Sequence, residues 1–566
     1  MPCYARNTVA TISRVFVILA CAWSACAQTS GTLKVLSEEL DRNFQALKKA
    51  DPAPYFLSYA VTDQDYSVVA ASFGSITSKV EGRRTSNLDV TLRVGTPQLD
   101  NYHRVRGERA QFTSGSSVVI EESPLALKRR LWLDTDRTYR LAAERLIKIR
   151  TNSQVRVKEE DPSDDFSGED PAVFSEAPPK MNFPMDLWSA RVKKLSSAFG
   201  KYPGILTSTV SVVGQSETKY LASTEGTRLQ HGRGFARVIV SAVARADDGM
   251  DLTTSETFEA FDPQGLPNDA AILAAIDRVA KDLTGLLKAP VVDPFIGPAI
   301  LSGRAAGVFF HEIFGHRVEG HRQKDENEGQ TFTKSVNGPV LPDFLSVVFD
   351  PTKRKIEGVD LNGWYRYDDE GVSARPVQVV DHGILKTFLM SRSPILGFPH
   401  SNGHGRRQTG AEVVSRQSNL IVESTKQVSD ARLREMLIAE IKRQNKPYGL
   451  YFQNITGGYT TTGRGGLQAF KVIPLVVYRV YPDGRPDELV RGADMVGTPL
   501  SSFAKILATS NHQEVFNGYC GAESGSVPVS AVSPALLVSE IEIEKKQKSG
   551  DRPPLLPLPS SGEAGR

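Results

Sequence analysis

The sequence has little cysteine, little tryptophan and little net charge for its length. Its 566 residues include four cysteines and four tryptophans, and the net charge is +3. So few cysteines argue against a disulfide-rich scaffold. A charge this small gives no indication of binding to nucleic acid or to an anionic membrane surface. A hydrophobic fraction of 40% and a mean hydropathy of −0.26 indicate a soluble globular protein, and the length predicts two or three domains.

The N-terminus has the three parts of a secretory signal peptide. Two arginines precede an apolar run at 15–23, and the small residues of 25–27 follow as a cleavage site. The run is too short for a stable membrane span. We therefore predict a signal peptide at 1–27, no transmembrane segment in the mature protein, and a secreted or periplasmic location. The alternative is a lipoprotein acylated at Cys21 or Cys26.

Removal of this segment would leave Cys520 as the single thiol. Such a thiol cannot form an internal disulfide, and in an oxidising compartment it would be open to oxidation unless something protects it. Binding to zinc as a thiolate would protect it. The alternative is a buried, inert cysteine. Because residues 517–525 are polar and glycine-rich, they predict a loop that presents a ligand.

A six-residue motif places two histidines around a glutamate, as His311-Glu312-Ile313-Phe314-Gly315-His316. Histidine is the commonest metal ligand, and Glu312 is a suitable proton acceptor. The histidines are five residues apart, so on an ideal helix they point about 140° apart. We therefore predict a π-bulge, with Gly315 lowering the cost of the distortion. The alternative is a chance match in which the histidines are hydrogen-bonded core residues.

Two histidines and one cysteine form a zinc site with an open fourth position, which is typical of catalytic zinc. The candidate ligands are His311, His316 and Cys520, with Glu312 as general base. Since a structural site needs no base and normally has four protein ligands, these residues predict a zinc hydrolase.

The rest of the pattern predicts an α+β protein with an antiparallel sheet in its N-terminal half and a β-rich C-terminal domain that carries the motif helix. The predicted elements are a helix near 32–50, strands over 55–94, a helix over 126–153, strands over 205–262 and a helix at Asp269–Lys288. The predicted divisions are an N-terminal domain (28–290) with an acidic surface loop at about 157–180, a catalytic domain (291–544) and a disordered tail (545–566).

Several blocks together resemble the TldD/PmbA metallopeptidases, and the chain looks like a TldD-type catalytic member. These blocks are 311–320, 368–371, 381–389, 402–407 and 519–529, in the family's order. The resemblance implies a zinc ion held by His311, His316 and Cys520, with Glu312 as general base. It also implies cleavage of short or unstructured peptides, and either a homodimer or a heterodimer with a TldE/PmbA-like subunit.

Three further features have two interpretations each. Arg406 either binds a peptide carboxylate or lies in a solvated basic turn. The glycine-rich stretch 457–466 either holds an extended peptide at a strand edge or forms a flexible surface turn. Glu319 and His321 are candidates for orienting a ligand imidazole, and His321 is alternatively a surface residue at a helix end.

Two other functions stay open. One is a non-catalytic peptide-binding or assembly protein that zinc only stabilises. The other is a zinc amidase acting on a non-peptide substrate such as cell-wall material. The intact Glu312 favours the peptidase over the first of these.

Overall fold

In a computed structural model, the described residues are 31–105, 108–121, 123–153, 161–465, 469–498 and 502–546, together with 554 and 556. The predicted signal peptide at 1–27 lies outside the described residues, and so does most of the predicted tail. Within the described residues, no helix is long and apolar enough to cross a membrane.

The N-terminal half combines helices with one sheet that is antiparallel except where β5 pairs with β7. Its helices are α1 (Gly31–Leu47), α2 (Pro124–Ser153), α3 (Met185–Ser196) and α4 (Asp269–Lys288). Its strands are β1 (Pro54–Ser72), β2 (Ser75–Thr96), β3 (Leu99–Asp100), β4 (Ser116–Ser117), β5 (Val173–Ser175), β6 (Thr207–Ser223), β7 (Arg228–Arg245) and β8 (Asp251–Ala260). The long strands lie in the order β2-β1-β6-β7, with β8 beside β7. The predicted helices and strands of this half are confirmed.

The C-terminal half is richer in strands. Its helices are α5 (Gly303–Ile313), α6 (His321–Lys324) and α7 (Asp430–Arg443). Its strands are β9 (Phe295–Leu301), β10 (Leu345–Phe349), β11 (Lys355–Ile356), β12 (Val359–Asp360), β13 (Val377–Asp381), β14 (Ile384–Leu385), β15 (Gly405–Arg406), β16 (Val414–Ser415), β17 (Asn419–Ser424), β18 (Gln427–Val428), β19 (Gly449–Thr460), β20 (Phe470–Val480), β21 (Glu488–Val490), β22 (Ala493–Gly497), β23 (Ile506–Ala522) and β24 (Gly525–Lys545).

Strand β24 organises this half. It pairs with β9, β17, β22 and β23 within one mixed sheet, while β11–β12 and β15–β16 form two separate small ladders. The predicted α+β class with a β-rich C-terminal region is confirmed. The boundary predicted near residue 290 falls between α4 and β9, and it stays a prediction.

Helix α5 lies at the centre of the C-terminal core, against β19, β23 and β24. The rings of Phe309 and Phe310 are fully buried and pack on Phe503, and Phe309 also packs on Phe470. A helix buried on nearly all sides has little freedom to move, because the surrounding core is close-packed. Side chains on its remaining face are therefore held in place.

The segment 161–180 is only partly the surface loop that its composition predicts. Its Phe166 is buried, and the Arg392 guanidinium stacks on that ring at 4.0 Å and donates to the Ser167 carbonyl at 3.0 Å. Asp165 accepts from His103 at 2.9 Å. The surface assignment is therefore wrong for residues 165–167, which are buried between the two halves, while much of 168–180 is exposed.

The two halves also meet through polar contacts. The Lys219 ammonium of β6 lies 2.5 Å from the Asp369 carboxylate of the C-terminal half. A carboxylate oxygen of Glu412 accepts from the backbone amides of Phe112 and Thr113 at 2.7 and 3.0 Å. These contacts satisfy groups that would otherwise be buried without partners.

Candidate metal centre

Helix α5 begins at a side-chain cap and carries the first half of the motif. The Ser302 hydroxyl accepts from the Ala305 amide at 3.2 Å, which satisfies one of the free amides of the first turn. The helix ends at Ile313, and Gly315–Val318 follow as one 3₁₀ turn.

This break in the helix brings the two motif histidines together. The rings of His311 and His316 are 5.1 Å apart at 80° to one another. The predicted π-bulge is wrong, because the helix stops before His316 and a 3₁₀ turn redirects the chain. Gly315 is needed for a different reason from the predicted one. A Cβ there would collide with the side chain of Gln417, whose amide donates to the His311 carbonyl at 3.3 Å.

Cys520 comes from a strand. It lies on β23, opposite Val527 of β24 and two residues before the strand ends at Ala522. The predicted loop is therefore wrong, although the turn of the hairpin follows at once. Its thiol is buried and lies 3.3 Å from Nε2 of His316.

The three predicted ligands have donor atoms that all lie within 4.8 Å of one another. In a tetrahedral zinc site the donor atoms are about 3.3–3.8 Å apart, given Zn–N and Zn–S distances of about 2.0–2.3 Å. Small side-chain movements would bring these three atoms to that spacing. The His₂Cys donor set and its geometry therefore fit a zinc ion with an open position.

The charges around Cys520 and His316 favour the thiolate form of Cys520. Burial raises the pKa of the Cys520 thiol, but the imidazoles of His316 and His311 outweigh it and hold that pKa well below its ordinary value. For His316, burial alone would lower the pKa, but the charges of Cys520 and Glu319 outweigh it and raise that pKa well above its ordinary value. The thiolate is the form that binds metal, and a divalent cation would replace the imidazole proton.

Glu319 orients the second histidine. Its carboxylate lies 3.3 Å from Nδ1 of His316, so Nδ1 donates and Nε2 faces the thiol. It also accepts from Nε of Arg322 at 2.8 Å and lies 3.3 Å from Nε of Arg416. Burial raises the pKa of Glu319, but His316 and Arg322 outweigh it and hold that pKa well below its ordinary range.

Of the two candidates for this role, the structure places Glu319 and not His321 beside the ligand. His321 is buried and pairs with the Glu523 carboxylate, so its interpretation as a surface residue is wrong. Sequence reasoning missed Arg322 and Arg416. The three-residue spacing from Glu319 to Arg322 was a signal in the sequence that these two side chains could pair. No such signal marks Arg416, which donates to the Cys520 carbonyl at 2.6 Å.

Glu312 is buried beside the three donors and packs against Gly458 of β19, where a Cβ would lie 2.8 Å from Cγ of the glutamate. Burial raises the pKa of Glu312, and the charges of His311 and His316 only partly oppose it. A carboxyl group with a raised pKa accepts and returns a proton more readily near neutral pH.

A cavity of about 310 Å³ opens beside His311 and Glu312. Residues of α5, β7, β8, β19, β23 and β24 line it, among them Gly457 and Gly458. The peptide-holding interpretation of 457–466 stays a prediction, and residues 466–468 lie outside the described residues.

Arg406 is not brought to this cavity. It is buried, donates to the Gln417 carbonyl at 2.5 Å and lies 4.7 Å from the ring of Tyr365. The solvated-turn interpretation is therefore wrong. Arg406 lines a separate cavity of about 340 Å³ between the two halves, together with Lys219 and Asp369.

The set of two histidines and one cysteine is typical of a zinc site with an open position. Residues 296–545 match the family model of the PmbA/TldA metallopeptidase C-terminal domain. This match covers the motif helix and the Cys520 hairpin. With the names of the relatives below, it shows that this part of the chain is similar to the TldD/PmbA proteins.

Three relatives are named as metalloproteases. Metalloprotease MJ0996 of Methanocaldococcus jannaschii is 29% identical over 41% of this chain and 47% of its own length. A metalloprotease of Methanothermobacter thermautotrophicus is 24% identical over 82% of this chain and 96% of its own. A zinc metalloprotease TldD homolog of Saccharolobus solfataricus is 27% identical over 44% of this chain and 51% of its own. The chain thus spans about half the length of the first and third.

Solved structures show the same fold. TldE from Thermococcus kodakarensis superposes with a TM-score of 0.60 and 13% identity, covering 90% of this chain and 100% of that one. A putative modulator of DNA gyrase from Thermotoga maritima superposes with a TM-score of 0.58 and 16% identity, covering 89% and 99%. At these identities the likeness concerns the fold alone.

Proposed function

We propose that this protein is a zinc-dependent metallopeptidase that hydrolyses peptide bonds in short or unstructured peptides. The observation that carries the proposal is the group of His311, His316 and Cys520, whose donor atoms lie within 4.8 Å of one another beside the buried carboxyl group of Glu312. A structural zinc site would normally have a fourth protein ligand and would not need this carboxyl group.

The residues have separate roles in this proposal. The three donors hold the metal, and zinc, when bound, polarises the scissile carbonyl and lowers the pKa of water. Glu312 takes a proton from the attacking water and passes it to the leaving amine. Glu319 keeps the His316 ring in the tautomer that leaves Nε2 free for the metal.

The substrate and setting belong to the same proposal. The cavity of about 310 Å³ has the size of a few residues of extended chain rather than of a folded domain. We propose export to a secreted or periplasmic location from the pattern at 1–27. We also propose a homodimer, or a heterodimer with a TldE/PmbA-like subunit, as the resemblance of the motif blocks implies.

Metal content and turnover of two variants test the proposal. Wild-type protein should bind about one zinc per chain, and Cys520→Ala should lose most of it, because one of three ligands is removed. Glu312→Gln should keep the zinc and the fold, and should lose about 10²–10⁴-fold in peptide hydrolysis. Zinc bound without hydrolysis of any peptide by the wild type would favour a non-catalytic, zinc-stabilised binding protein. A wild type that binds no zinc would refute the proposal.

A further inference from the structure

One face of α5 carries an arginine in line with the metal donors. Residues four, seven and eight positions apart lie on one side of a helix. Arg304, Val308, His311 and Glu312 have this spacing, and all four line the cavity of about 310 Å³. The helix thus places a guanidinium at one end of the cavity and the reactive groups at the other.

The Arg304 guanidinium has few partners of its own. It donates to the Val515 carbonyl at 3.2 Å and lies 5.5 Å from the centre of the Phe516 ring. Glu514 accepts from the Arg304 backbone amide at 2.9 Å. Across the described part of the chain, no carboxylate lies within ion-pair distance of this guanidinium. An arginine offers five N–H donors, so most remain available for a ligand.

The second arginine of the cavity is different. Arg237 of β7 lies 3.1 Å from the Glu259 carboxylate and donates to the Asn517 carbonyl at 3.1 Å. Its charge is already compensated within the protein. Arg304 is therefore the cavity's available cation.

The distance between the two ends matches a short piece of peptide. Seven residues of helix separate Arg304 from His311, which is about 10 Å along the axis. An extended chain covers that length in about three residues. The walls between them include the apolar side chains of Val308, Ile455 and Phe516.

We propose that Arg304 determines substrate specificity by binding a carboxylate two or three residues from the scissile bond. A guanidinium binds a carboxylate through two parallel hydrogen bonds, and an apolar surround strengthens them. The carboxylate is either the C-terminus of the peptide or an acidic side chain. If it is the C-terminus, each cleavage releases a dipeptide or tripeptide. This proposal rests on the proposed peptidase function, but binding alone can test it.

The test uses one fluorescent peptide in four versions. One pair ends in a free carboxylate or in a carboxamide. The other pair is amidated and carries Asp or Asn three residues from its end. Binding is measured by anisotropy on zinc-loaded Glu312→Gln protein, with and without Arg304→Gln, and hydrolysis is measured on Glu312-intact proteins. Arg432→Gln removes an exposed arginine of α7 as the matched control.

We expect one charged version to bind roughly 10- to 100-fold more tightly than its neutral partner. Arg304→Gln should reduce that ratio to near one without loss of zinc, Arg304→Lys should keep part of it, and Arg432→Gln should keep all of it. A difference between the free-carboxylate and carboxamide peptides would identify the C-terminus as the bound group. A difference between the Asp and Asn peptides would identify an acidic side chain. Equal binding of all versions, no binding, or a ratio that survives Arg304→Gln would overturn the proposal. Selective binding without hydrolysis would refute the peptidase function and leave the carboxylate site standing.

Discussion

Replacing Glu319 by glutamine should weaken zinc binding without touching a ligand. In the wild type this fully buried carboxylate holds Nδ1 of His316 and compensates the charges of Arg322 and Arg416. Glutamine has nearly the same shape, but it is neutral. The His316 ring would then lose the anionic acceptor that fixes its tautomer, because the neutral amide oxygen is a weaker acceptor, and two buried guanidinium groups would lose a shared counter-ion.

The contacts set the size of the effect. Mutation of a hydrogen-bonding partner of a ligand histidine typically costs 10- to 100-fold in metal affinity, which is about 1.4–2.8 kcal/mol. Breaking a buried ion pair costs about 3–5 kcal/mol in stability. We expect the lower end, because Arg322 keeps its contacts with Glu328 and Glu523 at 2.9 Å each.

Zinc affinity should be measured by competition with a chromophoric chelator, and stability by thermal unfolding of the metal-free protein. Glu440→Gln is the matched control, since Glu440 is also buried and accepts from Arg443 at 2.7 Å, but on α7. The control should lose stability and keep its zinc affinity. An unchanged zinc affinity in Glu319→Gln would refute the role given to this carboxylate.

Two further predictions concern packing and the contact between the halves. Gly315→Ala should lower stability by about 1–3 kcal/mol and weaken zinc binding, because its Cβ collides with Gln417, whereas Gly521→Ala, with open space around it, should be neutral in both assays. Lys219→Met should lower stability at pH 7 by about 1–3 kcal/mol, since it leaves Asp369 without its cation. Burial raises the pKa of Asp369, but Lys219 outweighs it and lowers that pKa below 3.8. Burial lowers the pKa of Lys219, but Asp369 outweighs it and raises that pKa above 10.5. The penalty should therefore be full between about pH 4 and 10, and should shrink as acid protonates Asp369 or as base deprotonates wild-type Lys219. A penalty independent of pH would contradict this reasoning.

Helices α1, α2, α4 and α5 were predictable because their signals are local, whereas α3 and α7 were not predicted. The periodicity of 269–288 gave α4 at its observed bounds, and the motif identified the residues that the structure brings together. The same local signal failed at His316. The prediction used the rotation per residue of an unbroken helix to orient His311 and His316. The spacing of the two histidines does not show that the helix stops at Ile313.

The remaining errors concern partners far away in sequence. Glycines and polar residues around Cys520 resemble a loop, but β24 supplies the hydrogen bonds that make this stretch a strand. Phe166 lies in an acidic segment, and its burial follows from contacts with the distant Phe56, Arg93 and Arg392. Arg416 is an ordinary surface-type residue until the fold places it against Glu319. Contacts with residues far away in sequence determine the environments of Cys520, Phe166 and Arg416, and local composition does not contain that information.

The span of 204 residues between His316 and Cys520 has a consequence for the order in which the protein is made. The ribosome releases both imidazoles long before the thiol, and β24 must follow before β23 has its partner. A nascent chain therefore holds two donors and no complete centre. The three donors can therefore meet only after the β23–β24 hairpin at the end of the C-terminal half has been made.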